Sequence, residues 1–241
     1  MKMDDQPPYV DLLANIARDW SDPQGLGLFT THVGSRWGGQ LMVCGRATNG
    51  MEPEWTCEQI ATPADREAAV KATVAKRDEV SCPMEWIEDA WKRPGGYNTA
   101  RSAFWRVTRA LAARLSANPD DQHWASRLTW TNLYRVAPAD GGNPSAQLKR
   151  VQFDWCCDRL MAELTQLTPR RLLILSGSNW AADFVGQATI KWRPYTQLVE
   201  GVGTWRLANG HVLSVVIAKH PQGKPEAALV RAIDEAFASV D

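Results

Sequence analysis

The chain has 241 residues, 44% hydrophobic and 22% charged, which excludes a disordered polymer and suits one large α/β domain or two small ones. Lys plus Arg and Asp plus Glu both number 27, so the formal net charge is zero; this counts against a uniformly basic nucleic-acid binder and leaves room for a local basic patch. No run approaches about 18 apolar residues and the start "MKMDDQPPYV" has no apolar core, so a cytoplasmic protein with no membrane span and no signal peptide is expected.

From the N-terminus, Tyr9, Leu12, Leu13, Ile16 and Trp20 recur at helical spacing. The first strand is expected over Gln40–Gly45, within "LMVCGRATNG". A helical and loop region follows from Thr62 to Ala117, in which Phe104, Val107, Leu111 and Leu115 share one helix face. "KRPGGYN", Lys92 to Asn98, reads as a flexible basic insertion just before that helix. "SRLTWTNLYRV" is the second strand, and the loop "PADGGNPS" ends on Asn143–Pro144, an N-cap followed by proline at the first helical position. The next helix aligns Phe153, Cys157, Leu160, Leu164 and Leu167. "RRLLILSG" is the third strand, and "SNWAADF" opens another helix. "TWRLANGHVLSVVIAKHP" reads as a hairpin turned at Asn209–Gly210, with Val212–Ala218 as the fourth central strand. The last helix carries Leu229, Ile233 and Phe237.

Strands alternating with helices predict an α/β fold: a three-layer α/β/α sandwich on a central, mostly parallel four-stranded sheet. The organisation expected is one domain, with residues 1–39 as an N-terminal helical extension and 40–241 as the core. Five cysteines without a CxxC pair suggest neither a disulfide framework nor a zinc or iron–sulfur site. Twelve tryptophans are read mainly as core payload, a minority being available to stack on bases.

Ligands of open α/β sheets bind at the carboxyl ends of the strands. Here those ends carry "GRATNG", "TNLYRVAP", "SGSNWA" and "KHPQGKP". In this order the four segments resemble the motifs of the uracil-DNA glycosylase superfamily. "VCGRATNG" is similar to its first motif, "TWTNLYRVAPADGGNP" to the segment whose Asn reads the flipped base, "LLILSGSNWA" to a strand before a glycine turn, and "VVIAKHPQGKP" to its late His-Pro motif. The likeness spans Gln40 to Leu229. One departure stands out: where much of the family has Asp, Asn or Glu two residues after the first Gly, this chain has Ala47, and an amide follows at Asn49.

The resemblance implies a monofunctional DNA glycosylase-like domain that needs no metal or other cofactor, has DNA as its partner and requires no obligate protein partner. Asn49 would orient water at the sugar, and His220 would donate a hydrogen bond to the departing base. Gly45, Arg46, Thr48, Asn132 and Trp55 would hold the base, Asn132 by pairing with a pyrimidine edge and Trp55 by stacking. Asn143, Ser178, Gln222, Gly223 and Lys224 would contact DNA. Each has a plainer reading as well: Asn49–Gly50 as a turn, Arg46 as a surface cation, Asn132 as a strand-end backbone ligand, Ser178 as a helix cap and His220 as a structural imidazole. Because of the departure at Ala47, the substrate expected is a modified pyrimidine, such as a hypermodified cytosine of phage DNA, or uracil. The rivals are a non-catalytic module that binds nucleotides or damaged DNA, and an enzyme acting on free nucleosides.

Overall fold

The run Leu41–Gly45 is buried at every position, as a strand covered on both faces must be. It belongs to an α/β structure, a computed structural model that describes residues 6–50, 52–116, 121–186, 188–191 and 196–241. Of the sequence expectations, the first five residues of the N-terminal extension and Ala117 lie outside these residues.

In chain order the elements are α1 (Gln6–Asp19), β1 (Leu26–Leu28), β2 (His32–Val33), β3 (Leu41–Gly45), β4 (Glu54–Trp55), α2 (Pro63–Asp78), α3 (Glu85–Asp89) and α4 (Ala103–Leu115). They continue with β5 (Thr129–Asn132), β6 (Val136–Pro138), α5 (Ala146–Leu167), β7 (Arg171–Ile174), α6 (Ser178–Ala181), β8 (Thr189–Lys191), β9 (Val199–Arg206), β10 (Val212–Ala218) and α7 (Glu226–Ala238). The chain divides into two compact units: Met1–Thr31, Arg46–Ser81 and Asn132–Ala162 form the first, and His32–Gly45, Cys82–Thr131 and Glu163–Asp241 the second.

In the first unit β1 pairs antiparallel with both β4 and β6. Its core joins Tyr9, Leu12, Leu13, Ile16 and Trp20 to Leu26, Leu28, Trp55, Val70, Val136 and Leu148. The expected N-terminal helix therefore exists and supplies core rather than standing apart as an extension. α2 begins with a capping box, in which Thr62 Oγ1 accepts from Asp65 N–H and the Asp65 carboxylate accepts from Thr62 N–H.

The second unit is built on a seven-stranded sheet of order β2-β5-β3-β7-β10-β9-β8, of which β5 ends on Asn132. β7 pairs parallel with β3 and with β10. β9 pairs antiparallel with β10 and β8, and β2 antiparallel with β5. The four strands read from the sequence, β5, β3, β7 and β10, sit side by side. The sheet is nevertheless wider and more mixed than the four-stranded, mostly parallel one expected. Two- and three-residue edge strands carry no period, and the glycines of "VEGVGTWR" in β9 dilute the strand signal. On one face Leu41, Val43, Leu173, Leu175, Val216 and Ala218 share a core with Trp105, Val107 and Leu111 of α4 and with Leu229, Ile233 and Phe237 of α7.

The hairpin joining β9 to β10 turns where expected: Leu207 N–H donates to His211 O at 2.8 Å, and Gly210 holds φ +84°. α5 differs from its expected face. Gln152 and Cys156 are buried, while Phe153 and Cys157 are half-buried. Its cap is Ser145, whose Oγ accepts from Leu148 N–H at 3.2 Å, so Asn143 lies outside the helix. A buried Gln on a core face is unusual, and its bonds explain it. Gln152 Oε1 accepts from the N–H groups of Arg135 and Val136, both at 2.9 Å, and Nε2 donates to Val136 O at 2.8 Å. The side chain thus holds the backbone that follows β5.

Candidate functional site

The predicted site residues fall into two groups, one in each unit. In the first unit, the loop after β3 is tied to the segment after β5 by Tyr134 N–H, which donates to Arg46 O at 2.9 Å. Arg46 is half-buried, and burial lowers its pKa. Two residues on, Thr48 is buried, and its Oγ1 has no hydrogen-bond partner among the described residues. Asn132, the last residue of β5, is 1% exposed, and its Nδ2 likewise has no partner among them. An unpaired buried amide donor costs about 1–3 kcal/mol, so such a group calls for an explanation.

Asn49 points the other way. It is exposed, and its Oδ1 accepts from Gly142 N–H at 2.8 Å. The bond links the loop after β3 to the glycine turn Gly141–Gly142, where φ is +106° and +99°. The side-chain oxygen of Asn49 therefore has a structural task in anchoring that turn. Trp55 is 3% exposed and belongs to the first unit's core. Asn143 is exposed in the turn before α5.

In the second unit the other predicted residues stand at strand carboxyl ends. Gly45 closes β3, and the next ladder step is Leu175 N–H to Cys44 O at 2.9 Å. Beyond β7 the chain turns at Gly177, whose φ of +85° suits glycine. Its N–H donates to Ala218 O at 2.9 Å. Ser178 N–H then donates to Glu200 Oε2 at 2.6 Å, so a carboxylate already caps the amide expected to meet a phosphate. Glu200 reaches this position through a bulge: Ile217 pairs with Gly201 and Ala218 with Val199, so the register skips Glu200. Bulges re-aim side chains and concentrate next to functional sites. No sequence signal marks Glu200, because the bulge exists only in the pairing of β9 with β10.

His220 follows β10 and is half-buried. Gln222 N–H donates to His220 Nδ1 at 3.3 Å. With Nδ1 accepting, the neutral ring carries its proton on Nε2, an assignment that follows from the bond. Lys224 N–H closes the turn onto Pro221 O at 3.0 Å, and Gln222, Gly223 and Lys224 are exposed. Gly223 holds φ +71°. Among the described residues no group of three or more His, Cys, Asp or Glu side chains is placed to hold a metal ion, and no helix is long and apolar enough to cross a membrane.

In comparisons with known proteins, no family model matches the chain and no curated protein sequence matches it.

Proposed function

We propose that this chain is a DNA glycosylase of the uracil-DNA glycosylase type, carried on a three-layer α/β/α core. The observation that carries the reading is the buried Nδ2 of Asn132 at the carboxyl end of β5, which has no hydrogen-bond partner among the described residues. An amide donor held without a partner is matched by a ligand acceptor, and a pyrimidine carbonyl is one. A base extruded from the helix presents that edge to a pocket. Thr48 Oγ1, also buried without a partner among the described residues, offers a second polar group.

In this reading water adds to the sugar carbon as the carbon–nitrogen bond breaks, and the base leaves with the bonding pair and takes up a proton. Asn49, with its oxygen on Gly142, has its NH₂ group left to orient water. The substrate proposed is a modified pyrimidine in DNA, such as a hypermodified cytosine of phage DNA, or uracil; the former would make the protein an antiviral factor. The test is incubation with oligonucleotides carrying uracil or modified cytosines, scored for abasic sites. Absence of abasic sites across the set overturns the catalytic reading.

One observation favours a second reading, a non-catalytic module that binds nucleotides or damaged DNA. Asn49 is exposed and already anchors a turn, which suits a scaffold better than a water-orienting group. That reading predicts binding without base release, and binding that survives Asn49→Ala.

A further inference from the structure

The segment from Ala90 to Phe104 contains Lys92, Arg93 and Arg101 and no Asp or Glu. All three cations are exposed, and none has a hydrogen-bond or ion-pair partner among the described residues. Tyr97 stands between them, 61% exposed, and is the one exposed Phe, Tyr or Trp among the described residues. The tryptophans read as possible base-stacking platforms are buried or half-buried where described.

The sequence suggests a flexible insertion, and the structure shows a stapled one. Asn98 Oδ1 accepts from Lys92 N–H at 3.2 Å and from Ala100 N–H at 3.0 Å, while its Nδ2 donates to Arg93 O at 3.2 Å. Thr99 Oγ1 donates to Ile87 O at 2.7 Å, and Arg106 Nη1 donates to Ala100 O at 2.7 Å. Lys92 at φ +62° and Gly95 and Gly96 at φ +78° and +66° make the bend. Behind Tyr97 the Trp86 ring lies 6.2 Å away, and Trp86 in turn packs against Trp105 at 5.9 Å and Trp130 at 6.1 Å. An exposed ring is therefore packed against an aromatic cluster, and on either side of it in the chain stand cations with no partner among the described residues.

We propose that Lys92–Arg101 is a binding site for a nucleic-acid strand, with an unstacked base lying on Tyr97 and phosphates meeting Lys92, Arg93 and Arg101. Aromatic stacking with flanking cations is the chemistry by which proteins hold single strands without reading sequence. Cations left unpaired on a neutral protein also supply the local patch that its composition allows. The inference extends the DNA reading above and needs no base release.

The test is fluorescence anisotropy with a labelled, unmodified single-stranded oligonucleotide, titrated at several salt concentrations. Tyr97→Ala is expected to weaken binding roughly 5- to 140-fold, and Tyr97→Phe to retain it. The combined Lys92→Gln, Arg93→Gln, Arg101→Gln variant is expected to lower the slope of log affinity against log salt by about 2, at about 0.7 per charge for single strands. Unchanged affinity in Tyr97→Ala with an unchanged slope in the triple variant overturns the site, as does a wild-type chain that binds no strand. Retention of a protein from solution through Tyr97 with no strand bound also overturns it. Abasic-site formation is scored separately: Tyr97-dependent binding without base release overturns only the glycosylase reading, and base release with Tyr97-independent binding overturns only this one.

Discussion

Ser178 N–H donates to Glu200 Oε2 at 2.6 Å, and Glu200 is the residue that the β9–β10 ladder skips. The bulge thus delivers a carboxylate to the first amide after the Gly177 turn. Glu200→Ala removes that acceptor and is expected to cost about 1 kcal/mol, since water reaches part of the vacated site. Glu200→Gln keeps an oxygen for Ser178 and is expected to stay within about 0.5 kcal/mol of wild type. Urea midpoints of the two variants check this; equal losses would show that the amide does not depend on its acceptor.

Asn132 separates function from stability. Asn132→Leu replaces a buried donor that has no partner among the described residues by an apolar group of similar size. Stability is expected to hold, or to rise by up to about 1 kcal/mol. Base release, or base binding under the second reading, is expected to disappear. A structural Asn would give the opposite pair of results, measured by thermal melting beside the abasic-site assay.

Gln152 makes the converse case. It is fully buried and satisfies the N–H groups of Arg135 and Val136 together with Val136 O. Gln152→Ala strands all three and opens space in the first unit's interior, so a loss of about 3 kcal/mol or more is expected. A loss under about 1 kcal/mol in chemical denaturation would show that other groups or water take over these bonds.

Glu88 sets a pH dependence. Burial raises its carboxyl pKa above the usual range, opposed by hydrogen bonds from the N–H groups of Ser126 and Ala125 and by His123. A carboxyl whose folded pKa is raised contributes stability that is fully present below its unfolded value and is lost as pH rises through the folded value. Stability is therefore expected to fall as pH rises from about 4.3 through the raised folded-state value. Glu88→Gln, which still offers an oxygen to both N–H groups, is expected to flatten this step. Denaturation midpoints taken across that pH range decide it; an equal slope in the variant removes Glu88 as the cause.

Local pattern carried much of the fold. The spacing of Tyr9, Leu12, Leu13 and Ile16 marks α1, Asn209–Gly210 marks the hairpin, and four apolar or β-rich runs mark four neighbouring strands. These are features that neighbours in the chain decide among themselves, through period, turn chemistry and burial. The segments at the strand ends were legible for the same reason, because a strand that stops on Asn, Ser or His announces a polar end.

What the chain alone did not reveal depends on partners distant in sequence. Gln152 rather than Phe153 faces inward because the backbone at Arg135 and Val136 needs hydrogen bonds that Phe has no atoms to make. Asn49 turns outward because Gly142 takes its oxygen, and Glu200 is aimed by a register shift between two strands. Asn98 looks like one more loop residue until its three bonds close Lys92–Ala100 around Tyr97. The sequence by itself determined which segments form helices and strands and where polar groups punctuate them. Only tertiary structure decided which of those polar groups are already satisfied and which stand unpaired, because a hydrogen bond is settled by the backbone that packing brings alongside.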